Sequence, residues 1–547
     1  MSVSKRMGAV AVTAAVALVA AGCGGGSDSG KSNVKTEDAI ISIDGGQPEN
    51  PLVPANTTEV NGGKVVDFLW TGLVSYPADG SKPVNAVADS IDTKDGKVYD
   101  IKLKSDTKFH DGTTVMAKNF VDAWNWSAYA PNGAANGTFF AQIKGYDAVH
   151  PADPDGETGP KKAPAPTAKT MSGLVVKGDY EFQVTLNAPF SIFPTMLGYS
   201  AFMPLPDAFF KTTPALFGKK PIGNGPVKFD SWEDNVNIKL SRFDDYKLDG
   251  KVKIKGVTVK FYTDETAAYN DLTSGALDFM QQVPTDKLAD QQYQKDLGKR
   301  FINNPIPASG TLAFPLYDKR FANADLRKAI SLSIDRAAIT DKIFYGARTP
   351  SDSWSNPLTP GYTKGDCTVC KYDPTQAQAL LAKAGGFKGS LLLFYNADKG
   401  HKDWMEAVAG SIKNTLKIDA KAEGIPTFGV FRTQINNRKM TGLYRAGWQQ
   451  DYPDVENWIG PLYVTNGSSN DGEYSNPAVD KLYKEGTSAK SVDEAHAKFA
   501  EATKLIDADV PSIPIYYNNE QSGYSKRLGS VKTSNVGEID LASVELK

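Results

Sequence analysis

Apolar and polar positions follow two distinct periods along this chain. Trp404, Met405, Val408, Ala409, Ile412 and Leu416 recur at the 3.6-residue spacing of a helix. Just before them Leu391-Leu392-Leu393-Phe394-Tyr395 is continuously apolar, and just after them Ile418, Ala420 and Ala422 alternate. Strand, helix and strand in succession predict a mostly parallel sheet covered by helices. A second helical pattern runs from about Asn323 to Ile343. A third, from about Val492 to Ile506, leads into the apolar run Ile513-Pro514-Ile515-Tyr516-Tyr517. Tyr99 to Leu103 and Tyr180 to Leu186 alternate as strands with one wet face. Between His150 and Thr170 the chain is rich in Pro, Gly and charge without any period, which predicts an exposed loop. No internal repeat is evident.

Length and charge then narrow the picture. At 547 residues the chain is too long for one hydrophobic core, so two or three domains are expected. A formal charge of −2 argues against nucleic acid as a partner, because phosphate binding needs a basic excess. The first 23 residues read as a targeting segment: Lys5 and Arg6 precede the apolar run Met7 to Ala21, 15 residues long. That is short of the roughly 20 residues needed to span a bilayer. Losing Lys5 and Arg6 with the leader takes the charge from −2 to −4.

Candidate chemistry changes little. There is no G-x-S-x-G, no H-E-x-x-H and no Walker sequence. The four histidines (His110, His150, His401, His496) are scattered, so a histidine-rich metal site is not expected. Gly223-x-Gly225 lacks the third glycine of a dinucleotide turn and reads as a tight turn. A glycosidase-like carboxylate pair would be paired only in space and stays open at this level. Cys367 and Cys370 form a C-x-x-C pair, most simply a local disulfide in an exported protein. A zinc site would need two more ligands and none lies nearby, while a redox role would want a helix N-terminus rather than this loop.

One short stretch stands out: Arg445-Ala446-Gly447-Trp448-Gln449-Gln450-Asp451-Tyr452. On an extended segment Arg445 and Asp451, six apart, would share a face at roughly 20 Å or less. A cation at one end, an anion at the other and an aromatic between them suit a short zwitterion such as a free peptide. A surface strand with solvated charges is the plain alternative. The stretch resembles the ligand-contacting segment of the oligopeptide-binding proteins that serve ABC importers. Phe109-His110-Asp111-Gly112-Thr113 with Asn119-Phe120-Val121-Asp122-Ala123-Trp124 is similar to another block of that family. Gly223-Asn224-Gly225-Pro226 with Trp232, and Leu326-Arg327-Lys328-Ala329-Ile330 through Ile334-Asp335-Arg336, resemble two more. The likeness runs from about Ile40 to about Tyr524. Ala20-Ala21-Gly22-Cys23 resembles a bacterial lipobox with Ala20 where Leu is usual. That implies lipidation of Cys23 and a flexible tether after it.

The resemblance implies an α/β, two-lobed periplasmic-binding-protein-like fold of the class II type, with an extra domain, mixed sheets flanked by helices and a ligand cleft between lobes. The chain would divide into a signal peptide (1–22), a lipidated cysteine and tether (23–36), and a discontinuous first lobe (37–70, 200–307 and 518–547). An extra domain (71–199) and a second lobe (308–517) complete it. Asp451 would pair with a peptide's α-ammonium, and Arg445 would take its C-terminal carboxylate. His401 and Lys319 would be further carboxylate partners for ligands of other lengths. Gly447 and Gln449 would supply one backbone edge, Thr58 to Val60 the other, and Trp448 with Tyr516 or Tyr517 would line side-chain pockets. The role implied is an extracytoplasmic, monomeric lipoprotein, anchored to the outer face of the bacterial membrane by lipid only. It would deliver short peptides to ABC permease subunits by lobe closure, without cofactor, metal or catalysis. A sugar receptor of the same fold, or a surface peptidase, are the competing readings.

Overall fold

The strand Ile40–Gly45 shows how the apolar pattern becomes architecture: Ile41 and Ile43 are fully buried, while Ile40, of opposite parity, is 53% exposed. The computed structural model describes residues 35–78, 82–153 and 162–547. The leader, Cys23 and all but the last two residues of the expected tether lie outside the described residues, as does part of the expected 150–170 loop.

Ile40–Gly45 lies in a seven-stranded sheet in the order Phe301–Ile302, Ser522–Tyr524, Phe279–Met280, Ile40–Gly45, Gly256–Phe261, Asn237–Arg242, Val227–Glu233. Residues distant in sequence thus share one sheet, with Ile40 paired in parallel to Gly256 and Phe279 antiparallel to Tyr524. A second, six-stranded sheet runs Arg348–Pro350, Ser512–Asn519, Pro305–Ala313, Leu443–Gln449, Leu391–Asn396, Ala420–Ile425. Its last two strands are parallel, and the helix Lys402–Leu416 between them buries Trp404, Met405, Val408, Ala409 and Ile412. The other pairs of that sheet, apart from the parallel contact of Leu391–Asn396 with Leu443–Gln449, are antiparallel. A mixed sheet therefore stands where local periodicity predicts a mostly parallel one, because it is completed by strands from remote sequence.

A third sheet of four antiparallel strands, Ala88–Thr93, Val98–Leu103, Glu181–Thr185 and Leu174–Gly178, is built from residues of the expected extra domain. Phe182 of this sheet meets Trp124 of the helix Ala117–Ala128 edge to face at 5.6 Å. The expected helix from Asn323 to Ile343 is two helices, Ala324–Leu332 and Arg336–Lys342. Asp335 caps the second by accepting from the Ala338 N–H at 2.9 Å, so the 3.6-residue period continues across a real break.

The two large sheets are joined by two short links. The chain leaves the first sheet at Ile302 and enters the second at Pro305; it returns between Asn519 and Ser522. Fully buried Gln521 ties these links together. Its Nε2 donates to Asn303 Oδ1 and to the Ala347 carbonyl, each at 3.2 Å, and its Oε1 accepts from Gln282 at 3.0 Å and from Arg348. Paired crossovers of this kind are where a hinge can act.

Three sequence motifs prove to be internal struts. His110 accepts from the Gly223 N–H at 3.1 Å and faces the Gly225 carbonyl at 3.1 Å, so the Phe109–Gly112 and Gly223–Pro226 motifs form one unit. A Cβ on Gly223 would lie 1.9 Å from the Leu69 carbonyl oxygen, which only glycine avoids. Arg327 and Arg336, both buried, donate to main-chain carbonyls of Val510 and Pro514 at 3.0 and 2.7 Å. Cys367 and Cys370 are joined by a disulfide.

Candidate ligand cleft

The strand Leu443–Gln449 has two different flanks. One pairs with Pro305–Ala313 from Tyr444 to Gln449; the other meets Leu391–Asn396 only at Leu443 and Tyr444. From Arg445 onward the second flank faces open space and offers unused main-chain donors and acceptors. This flank borders a cleft of about 1480 Å³, larger than the roughly 300–1,000 Å³ of a drug-sized site. Thr58, Val60, His401, Arg445, Gly447, Trp448, Gln449, Asp451 and Tyr516 all line it.

Arg445 donates through Nε to Asn396 Oδ1 at 2.7 Å, and its guanidinium lies 5.5 Å from the rings of both Phe428 and Phe431. It forms no ion pair among the described residues, and burial pushes its pKa down to about 10. A half-buried guanidinium held by one nitrogen leaves its fork available to a carboxylate.

Asp451 lies just past the strand, in a bend before the helix Glu456–Tyr463. Fully buried Asn457 organises this corner: its Nδ2 donates to Asp451 Oδ2 at 2.8 Å, and its Oδ1 accepts from the Asp451 N–H at 2.8 Å and from Trp448 Nε1 at 3.2 Å. The carboxylate has no cation beside it among the described residues. Burial raises its pKa to about 7, against opposing hydrogen bonds from Asn457 and Tyr199. Local sequence carries no signal for Asn457 beyond its being polar in an apolar helix.

Other expected residues fall differently. His401 lines the cleft but is not a cation: burial, with Arg445, Lys399 and Arg348 nearby, holds its pKa well below the usual range. Trp404 Nε1 can only donate, so His401 Nδ1 accepts (3.2 Å) and Nε2 carries the proton. Lys319 is exposed on the short helix Lys319–Phe321 and does not line the cleft. Arg348 takes the expected place of a further cation. It lines the cleft without an ion pair, and its buried Nε has no partner among the described residues. Tyr516 faces the cleft against Trp404 and Phe344, at 5.6 and 4.9 Å. Tyr517, of opposite parity, points away and donates to Asp352 Oδ1 at 2.8 Å. Thr58 to Val60 form no strand edge: Val60 starts the helix Val60–Leu69, and Glu59 caps it by accepting from the Asn61 and Gly62 N–H groups.

The family model described as bacterial extracellular solute-binding proteins, family 5 Middle, matches residues 82–470. The chain belongs to this family. Among curated family 5 relatives, the oligopeptide-binding protein OppA of Bacillus subtilis is 25% identical over 98% of both chains. Among solved structures, Haemophilus influenzae OppA in complex with RPPGFSPFR has a TM-score of 0.81, with 24% identity over 93% of this chain and 99% of that one. The Escherichia coli murein tripeptide binding protein MppA also gives 0.81, at 23% identity over 93% and 98%. Against MppA in its unliganded open form the score falls to 0.65 over 94% and 97%. The two-lobed α/β fold with sheets flanked by helices is shared with these binding proteins.

Proposed function

We propose that this extracytoplasmic protein captures short peptides in the cleft and hands them to the permease of an ABC importer when its lobes close. The observation that carries this reading is the open flank of Leu443–Gln449, lying between an unpaired arginine and an unpaired carboxylate. The ligand's α-ammonium meets Asp451, its carboxylate meets Arg445 or Arg348, and His401 adds an Nε2–H donor. Main-chain groups of Ala446 to Gln449 bind the backbone between them without reading its side chains. The names of the relatives agree: OppA of B. subtilis is an oligopeptide-binding protein, and the H. influenzae structure holds a nonapeptide. Anchoring through lipidated Cys23, a monomeric state and action by binding alone belong to the same proposal.

The test is native mass spectrometry of the protein purified from bacterial cells. A heterogeneous set of bound masses that fragment as short peptides is the expected result. A single bound mass that is a sugar or another non-peptide would overturn it.

A further inference from the structure

The cleft carries far more negative charge than one peptide ammonium can balance. Twelve Asp or Glu residues line it against five Lys or Arg, in a chain whose overall charge is only −2. Most of these acids already have partners. Asp471 pairs with Arg432 at 2.6 Å, Glu265 with Lys399 at 3.9 Å, and Glu59 caps a helix. Asp67 and Glu538 do not.

Asp67 stands on the helix Val60–Leu69 and is exposed within the cleft. Its carboxylate accepts no hydrogen bond among the described residues, and only like charges act on it, from Glu538 and from Asp451. Glu538 is 7% exposed and lines the same cleft, and its carboxylate too accepts no hydrogen bond there. The single cation acting on Glu538 is Lys64, whose Nζ is already donating to the Asp44 carbonyl at 3.2 Å. Asp67 thus faces two like charges, Glu538 and Asp451, at one end of the cleft, where the three carboxylates share one ammonium, Lys64. Two negative charges remain uncompensated, and a peptide's α-ammonium at Asp451 neutralises one of them. The other is left among like charges, a repulsion that a second cation on the ligand relieves.

Resting on the peptide reading above, we propose that Asp67 and Glu538 form a cation subsite beside Asp451 for the side chain of a lysine or arginine at the peptide's N-terminal position. The first residue is the one selected because its side chain starts one bond from the ammonium that Asp451 holds. Lysine's flexible four-carbon stem then reaches across the cleft from the Asp451 lobe toward Asp67. The preferred ligands are therefore peptides with two cations at their N-terminal end, which supply the charge the site lacks.

Calorimetry on the whole protein at pH 8 and low salt tests this with three tetrapeptides: Ala-Ala-Ala-Ala, Lys-Ala-Ala-Ala and norleucine-Ala-Ala-Ala. Norleucine matches lysine in length without the charge. The lysine peptide is expected to bind at least about tenfold tighter than the norleucine peptide, with the ratio falling toward one in Asp67→Asn and in Glu538→Gln. Asp67 is water-exposed, so its variant keeps the test valid even where the buried Glu538→Gln fails to fold. Equal binding of the lysine and norleucine peptides overturns the subsite and leaves the peptide reading intact. A ratio unchanged in Asp67→Asn also overturns it. Binding of none of the three peptides removes the underlying peptide reading itself.

Discussion

Replacing Asp451 by asparagine should change folding and binding in opposite directions. In the ligand-free cleft the Asp451 carboxyl has its pKa raised from 3.8 to about 7, first by burial. At about 1.4 kcal/mol per unit, holding the carboxylate charged there costs about 4 kcal/mol, an upper bound because the cleft admits water. The folded protein binds this proton more tightly than the unfolded chain. The contribution to stability is therefore complete below pH 3.8 and is lost as pH rises through about 7. Asparagine mimics the neutral form, so at pH 8 ligand-free Asp451→Asn should resist urea better than the parent, with little difference at pH 4. A bound ammonium reverses the balance, because the charge is then paired. Truncating one partner of an enclosed pair costs roughly 2–4 kcal/mol, or about 30- to 700-fold in Kd. Calorimetry with tetra-alanine at pH 8 reads the loss directly. In the parent protein, binding should also release a proton between pH 5 and 7, so affinity falls as pH drops below about 7. Unchanged affinity in a folded Asp451→Asn protein would remove this carboxylate from the site, and binding without proton release at pH 6 would refute the pKa argument.

The remaining predictions concern the other end of the cleft, the hinge and a strut. Arg445→Ala should weaken the best-binding tetrapeptide by roughly 2–4 kcal/mol, and amidating that peptide's C-terminus should cost the parent protein much more than the variant; equal costs in both would sever Arg445 from the carboxylate. Small-angle scattering should give a smaller radius of gyration at saturating peptide, and superimposable curves would speak against closure. Gln521→Ala removes four hydrogen bonds at the crossovers and should lower the unfolding free energy by about 1–3 kcal/mol in urea titrations; no loss would deny that Gln521 ties the links. His110, lowered to about pKa 4 mainly by burial, is bound by protons more readily when unfolded, so stability should be full above about pH 6.5 and fall toward pH 4 by up to about 3 kcal/mol. His110→Gln should lose that part of the pH dependence.

Periodicity made the strand–helix–strand unit legible, because Trp404 to Leu416 all bury against one sheet. It could not show that Ser522–Tyr524 pairs beside Phe279–Met280, since such pairings are set by hydrogen bonds between distant segments. Alternation would have separated Tyr516 from Tyr517, whose parities send one to the cleft and the other to Asp352. Lys319 and Arg348 mark the reverse problem: both are cations outside any motif, and only the tertiary fold decides which one faces the cleft. Asn457 was invisible for a related reason. Its role is to satisfy the Asp451 N–H, the Asp451 carboxylate and Trp448 together, a geometry that exists only once the bend at 450–455 has formed.

The cleft is built against the ordinary preference of a folded protein. Asp451, Arg445 and Arg348 are ionisable groups enclosed without an ion pair among the described residues, and His401 is held neutral by burial first and then by the cations around it. Each costs stability in the empty protein, and such groups concentrate where function requires them. A zwitterion is the missing partner for all of them at once, because its two charges are separated along a backbone that the open strand flank can bind. Different elements supply different parts of the cost: Arg445 lies in the strand Leu443–Gln449 of the six-stranded sheet with Asp451 just past it, while Asp67 lies on the helix Val60–Leu69 and meets Glu538 at the acidic end. Closing the cleft while it is empty would increase the repulsion that Glu538 and Asp451 exert on Asp67, and closing it around a peptide would relieve it. The ligand thereby biases the hinge through its own charge, which is the differential interaction that any ligand-driven closure requires.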